Sequence, residues 1–342
     1  SGADCDSLFG YPVTDGGHNL VLTQVNCGLT NGVNGNIVGV PAQLGPLADN
    51  GGETETHALL DGSPAIDAGD TLEPTDQRGE PRPFGLADDI GAFELQTCFV
   101  DSWSVSNEAE LNAAIACYNT KTVAGTYTIT LTQDILLSDR LTDRSTTAID
   151  NTTAGVELVI EGSGFAVDGQ DNFDVRPFTV QANTTVTMND LTATGGNVIG
   201  GGVDNRGGGI LNRGNLTLNR STVSDNATET WGGGLATQGG TVEINDSTIA
   251  NNISGTPSNP GNGGGLYNEN GQVTIRNSTI SGNESDGLNS LGGGLTNFHN
   301  MTLESVTSTD NFASDGGGIY FNTTTPVTLT IKNTILAGNG TD

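Results

Sequence analysis

Short runs that alternate apolar, polar, apolar recur along the C-terminal part of the chain. They are Leu216-Thr217-Leu218, Val242-Glu243-Ile244, Val273-Thr274-Ile275, Met301-Thr302-Leu303 and Leu329-Thr330-Ile331. Each is followed three or four residues on by a threonine: Thr222, Thr248, Thr279, Thr307 and Thr334. A period of two predicts strands with one buried face. Ahead of each run stands a glycine trio, beginning at Gly207, Gly232, Gly263, Gly292 and Gly316, with steps of 25, 31, 29 and 24 residues. A repeat of this length made of short strands and Gly/Asn turns cannot bury its apolar face alone, so copies must stack into a solenoid.

Each repeat closes on an asparagine: Asn226, Asn252, Asn283, Asn311 and Asn339. Asparagine tolerates left-handed backbone angles, so these positions are expected to form the turns. Stacking would also pile their amides into a ladder. The predicted fold class is all-β: a right-handed parallel β-helix with three strands per rung, rungs about 4.8 Å apart.

The pattern changes before the repeats. Asn107 with Glu110 three residues later reads as a helix cap, and Leu111, Ala114, Ile115 and Tyr118 then fall on one helical face. This short helix is expected to lie as a lid over the first rung, because an open solenoid end exposes strand edges and core. Residues 98–124 therefore form a first strand and capping helix, and residues 125–342 the parallel β-helix. The first, less regular strands lie in 126–137 and 157–167.

Residues 1–97 lack the repeat and form a loop-rich module. Its motifs are Gly16-Gly17-His18-Asn19-Leu20, Leu44-Gly45-Pro46-Leu47, Thr56-His57-Ala58-Leu59-Leu60, Ser63-Pro64-Ala65-Ile66-Asp67-Ala68-Gly69, Thr75-Asp76-Gln77-Arg78-Gly79 and Asp89-Ile90-Gly91-Ala92-Phe93-Glu94. This run resembles the closing module of bacterial secreted parallel β-helix proteins, the choice-of-anchor type. Residues 98–342 resemble the β-helix body of the same proteins and of autotransporter-like passengers and adhesins. The resemblance implies a secreted, surface-associated, mostly non-enzymatic protein.

In that family the closing module follows the last rung, whereas here it comes first. The chain is therefore expected to be one period of an array, with residues 1–97 completing the β-helix of a preceding unit. Copies then join head to tail, either as tandem repeats or as separate subunits, and such non-closing contacts build fibres. The alternative is a circularly permuted single domain in which 1–97 folds back on its own last rung.

Composition narrows the setting. The 342 residues include 51 glycines and only 34% hydrophobic residues, which suits a thin column better than a large round core. Forty acidic against eleven basic residues give a net charge of -29. Nucleic acid and anionic membrane are poor partners for such a surface, since both need clustered Lys and Arg. The charge serves solubility or, on a sharper reading, Ca²⁺ binding. No stretch approaches membrane-spanning length, and Ser1-Gly2-Ala3-Asp4-Cys5 carries no secretion signal, which is expected to have been removed or to lie outside this sequence.

Four cysteines give an even count, read as two local disulfides, Cys5 with Cys27 and Cys98 with Cys117. Twelve asparagines stand in N-x-[ST] sequons and are glycosylation candidates: Asn151, Asn183, Asn215, Asn219, Asn226, Asn245, Asn252, Asn277, Asn283, Asn300, Asn322 and Asn339. Copying one Asn-x-Ser/Thr template along the rungs raises this count without any sugar.

Catalytic readings find little. A lyase needs a base beside an acidic sugar, yet the lysines are only Lys121 and Lys332. A hydrolase needs paired carboxylates. Asp225 and Asp310 qualify only by position, and Asn251 and Gly282 occupy that place in the intervening repeats, so turn residues explain them better. His18, His57 and His299 form no Ser/His/Asp set. Asp168-Gly169-Gln170-Asp171-Asn172-Phe173-Asp174 offers oxygen ligands for calcium without EF-hand spacing. The threonine column is a solvated strand face. Trp231, Tyr267, Phe298 and Tyr320 do not repeat as a column.

The sequence thus predicts no enzyme and no required cofactor, but an extracellular, cell-surface structural repeat that pairs with copies of itself. Its alternative is a carbohydrate-binding or carbohydrate-cleaving β-helix.

Overall fold

A computed structural model describes residues 3–6, 13–60, 62–85, 87–95, 101–138, 146–199, 204–322 and 327–341. The chain divides into two compact units, Ser1–Val100 and Asp101–Asp342.

The second unit is a parallel β-solenoid. Its longest sheet holds nine strands, from Ser102–Val105 through Gly125–Leu131, Val156–Glu161, Thr185–Asn189, Asn215–Asn219, Thr241–Asn245, Gln272–Arg276 and Met301–Glu304 to Leu329–Lys332. A second sheet has eight strands, a third six and a fourth seven. Alternation fixes the register. Leu216, Val242, Val273 and Met301 are stacked partners, each no more than 1% exposed, while Thr217, Glu243, Thr274 and Thr302 between them face outward.

The fourth sheet is one more than alternation predicts. All of the strands stacked along it but Ile253–Thr256 are only two residues long, such as Ala227–Thr228 and Glu284–Ser285, too short to show a period.

The glycine trio has three separate causes, seen at Gly263 to Gly265. Gly263 has φ +67, a left-handed angle that glycine adopts without strain. A Cβ on Gly264 would lie 2.4 Å from Glu284 O and 2.5 Å from Gly293 O, so neighbouring backbones leave no room. A Cβ on Gly265 would lie 3.0 Å from Cγ of Asn283.

The closing asparagines do form the expected ladder. Nδ2 of Asn226 donates to Asn252 Oδ1 at 3.0 Å, Asn252 to Asn283 at 2.9 Å, Asn283 to Asn311 at 2.8 Å and Asn311 to Asn339 at 2.9 Å. They are not the left-handed residues, however. That angle belongs to the residue before each: Asp225 (φ 56), Asn251 (56), Gly282 (67), Asp310 (56) and Gly338 (68). The sharp turn one position earlier frees the asparagine to point inward. A serine ladder runs beside it, with Ser221 N donating to Ser247 Oγ at 3.0 Å and Ser247 N to Ser278 Oγ at 3.1 Å.

Helix α1, Glu108–Asn119, begins at the predicted cap, where Asn107 Oδ1 accepts from Glu110 N at 3.0 Å. The Glu110 carboxylate reaches back one residue further than a usual capping box, taking Ser106 N at 2.6 Å. Leu111, Ala114, Ile115 and Tyr118 are fully buried, and the helix packs against strands Ser102–Val105 and Gly125–Leu131.

The first unit has little regular structure. Cys5–Asp6 pairs with Gln24–Val25, Leu20–Val21 with Ile37–Val38, and Leu44–Ala48 with Thr56–Leu59. Leu59, Ala65 and Phe93 make a small core.

A candidate binding face on the solenoid

The module motifs of the first unit turn out to be internal fastenings. Glu94 is fully buried and its oxygens accept Phe84 N at 2.7 Å and Asp89 N at 2.9 Å. Asp89 in turn accepts Asp67 N at 2.8 Å and Leu95 N at 2.6 Å. Asp76 accepts Glu94 N at 2.9 Å and Arg78 Nε at 2.8 Å, and the Arg78 guanidinium lies 3.7 Å from the Phe93 ring centroid. Buried carboxylates here supplement the small apolar core of Leu59, Ala65 and Phe93 by tying distant backbone N–H groups together. Burial pushes Asp89 up to about 6 and Glu94 up to about 7.

Cys5 and Cys27 form the disulfide read from the sequence. Cys117 is disulfide-bonded too, while Cys98 lies outside the described residues.

The twelve sequon asparagines separate by exposure. Asn183, Asn215, Asn277 and Asn322 are exposed; Asn219, Asn245, Asn300 and Asn339 are half-buried; Asn151, Asn226, Asn252 and Asn283 are buried. The last three carry the amide ladder, and Asn151 Nδ2 donates to Tyr118 O at 2.7 Å and Lys121 O at 2.9 Å.

In the Asp168–Asp174 segment, Asp168 Oδ1 accepts from Gln170 N at 2.7 Å, and Gln170 and Asn172 donate their amides to Leu137 O. Among the described residues no three His, Cys, Asp or Glu side chains are grouped as metal ligands. Asp225 and Asp310 both have φ 56 and are turn residues. His18 Nδ1 meets Ala68 O at 2.9 Å and His57 Nδ1 meets Gly45 O at 2.8 Å.

As read from the sequence, the aromatics share no repeat column, yet three of them meet in space. Trp231, Tyr267 and Phe298 come from three successive rungs and form one continuous row. Trp231 stacks on Tyr267 with centroids 5.2 Å apart and planes 26° apart, and Phe298 meets Tyr267 edge-on at 5.8 Å. They occupy different columns: Trp231 pairs with Asn262, Tyr267 with Ala236 and Thr296, and Phe298 follows the strand Leu295–Asn297. The row runs diagonally, so no single repeat position reveals it. Tyr267 is buried with Leu211 and Ala236, while Trp231 and Phe298 are partly exposed. Burial pushes the Tyr267 hydroxyl up to about 12.

Beside the row five planar side chains close a ring. Arg206 Nη1 donates to Glu269 Oε2 at 2.8 Å, and Gln238 Nε2 donates to the same oxygen at 3.3 Å. Arg213 Nε donates to Gln238 Oε1 at 2.9 Å and its Nη2 to Asp204. Asp204 Oδ1 stands 3.7 Å from Arg206 Nε. The Arg206 guanidinium also lies 4.6 Å from the Trp231 ring centroid. These charged groups keep 23 to 33% of their side-chain surface in solvent.

Compared with known proteins, the chain matches no family model, no curated protein and no solved structure. The fold and the geometry therefore define its class, a β-solenoid repeat protein.

Proposed function

We propose that the chain is a non-catalytic structural unit of an extracellular, surface-attached assembly, built head to tail from copies of itself. The observation that carries this reading is the stack itself: nine parallel strands in one sheet, matched in register from rung to rung, bury continuous apolar columns, and such a stack is extended by adding further rungs.

The surface through which the stack is continued is assigned to residues 1–97 of a second copy. Leu44 and Leu47 are 48 and 55% exposed there, beside a largely apolar groove of about 360 Å³ lined by Leu20, Leu59, Ala65 and Phe93. The resemblance to secreted β-helix proteins with a closing module supports the same pairing. The Cys5–Cys27 disulfide accords with an oxidising compartment. No helix among the described residues is long and apolar enough to cross a membrane. The exposed sequons Asn183, Asn215, Asn277 and Asn322 are the sites at which this reading places glycans.

Sedimentation velocity of the full chain with Leu44→Glu and Leu47→Glu, both exposed in the first unit, tests the pairing. Both variants are expected to keep the parent's far-UV circular dichroism and to lose its concentration-dependent assembly. Assembly as strong as the parent's would sink the proposal.

A further inference from the structure

We propose that the aromatic row and its polar ring form a binding site for a neutral, extended β-linked oligosaccharide. This rests on the solenoid face alone and is independent of end-to-end assembly.

Two features point to a sugar. The first is the pairing of aromatic rings with planar hydrogen-bonding side chains. Pyranose rings present C–H faces that lie on aromatics and pairs of adjacent hydroxyls that match guanidinium, carboxylate and carboxamide groups. Here Trp231 and Phe298 keep part of their rings in solvent, held apart by Tyr267 at 5.2 and 5.8 Å. The two rings lie two rungs apart, about 10 Å along the stack, comparable with the disaccharide repeat of an extended β-1,4-linked chain.

The second feature is preorganisation. Arg206, Glu269, Gln238, Arg213 and Asp204 hold one another through the ring of contacts described above, so their donors and acceptors are fixed before a ligand arrives. The ring carries two cations and two anions, which favours hydroxyls over a charged ligand. The chain's net charge of -29 further disfavours a uronate polymer.

Isothermal titration of the full chain with hexasaccharides of β-1,4-linked glucose, N-acetylglucosamine and mannose, and with hexagalacturonate, tests the site. At least one neutral hexasaccharide is expected to bind saturably, and hexagalacturonate at least about tenfold more weakly. Trp231→Ala should weaken the neutral ligand about tenfold or more. Glu269→Gln, which keeps the aromatic row and the side-chain volume, should weaken it several-fold. The proposal is overturned if none of the neutral hexasaccharides binds, if hexagalacturonate binds more tightly, or if the correctly folded Glu269→Gln protein binds like the parent.

Discussion

A methyl group on Gly234 would lie 2.8 Å from both Cγ and Nδ2 of Asn252, and 2.7 Å from Gly265 O. The third glycine of the trio and the asparagine that closes the repeat are therefore two parts of one device, because the absent side chain is the space in which the ladder amide sits. Gly234→Ala is expected to cost about 1–3 kcal/mol through overpacking. Gly239→Ala meets only Arg213 O at 3.6 Å and should stay within about 0.5 kcal/mol. Guanidinium midpoints of the two variants check this; equal midpoints would contradict it.

The ladder itself predicts a larger loss. Asn252 donates to Val223 O and Asn283 Oδ1, both at 2.9 Å, and accepts from Asn226 N at 3.1 Å and Nδ2 at 3.0 Å. Asn252→Ala strands several buried polar groups at about 1–3 kcal/mol each. A total of at least about 3 kcal/mol is expected. Asn339→Ala, at the half-buried end of the ladder, should cost clearly less. Urea denaturation of both variants orders them.

The strands and the amide ladder were legible because the same residue types recur at matching positions, and repetition averages out local ambiguity; helix α1 occurs once and was legible from its Asn107 and Glu110 cap and the helical spacing of Leu111, Ala114, Ile115 and Tyr118. The fourth strand of each rung was not, since Ala227–Thr228 and its stacked counterparts other than Ile253–Thr256 are two residues long. The left-handed angle was placed on Asn252 but belongs to Asn251, because both residues tolerate it and only the inward amide distinguishes them. Trp231, Tyr267 and Phe298 escaped because periodicity compares equivalent positions, and these rings meet along a diagonal. The module motif was visible in the first unit, yet the role of Glu94 was not. Its hydrogen-bond partners, Phe84 N and Asp89 N, are backbone groups that carry no sequence signature.

Acidity should stabilise the first unit. Burial raises Asp89 to about 6 and Glu94 to about 7, above the values of the unfolded chain near 4. Their contribution is therefore full below about pH 4 and is lost as pH rises through 6 and 7. Asp76 runs the other way. Burial works to raise it, but hydrogen bonds from Glu94 N and Arg78 outweigh that and hold it low, so its contribution is lost only in stronger acid. Between pH 5 and 8 the first two groups decide the trend. Proteolysis of residues 1–97 is expected to be slower at pH 5 than at pH 8 under a protease active at both, with the difference reduced in Glu94→Gln. Faster cleavage at pH 5 would contradict the assignment.

Glycan mapping of native material discriminates among the sequons. Occupancy is expected only among the exposed set, Asn183, Asn215, Asn277 and Asn322. Sugar on Asn226, Asn252 or Asn283 is incompatible with the folded ladder, whose Nδ2 atoms are all donated. Peptide mass spectrometry after glycosidase treatment in heavy-oxygen water reads out each site.

The central claim is that copies of this chain stack end to end, and negative-stain electron microscopy of the native, undigested protein tests it most directly. The account predicts long unbranched fibres with a regular axial repeat, shortened to single particles by Leu47→Glu. Isolated particles at every concentration in the unaltered protein would contradict it.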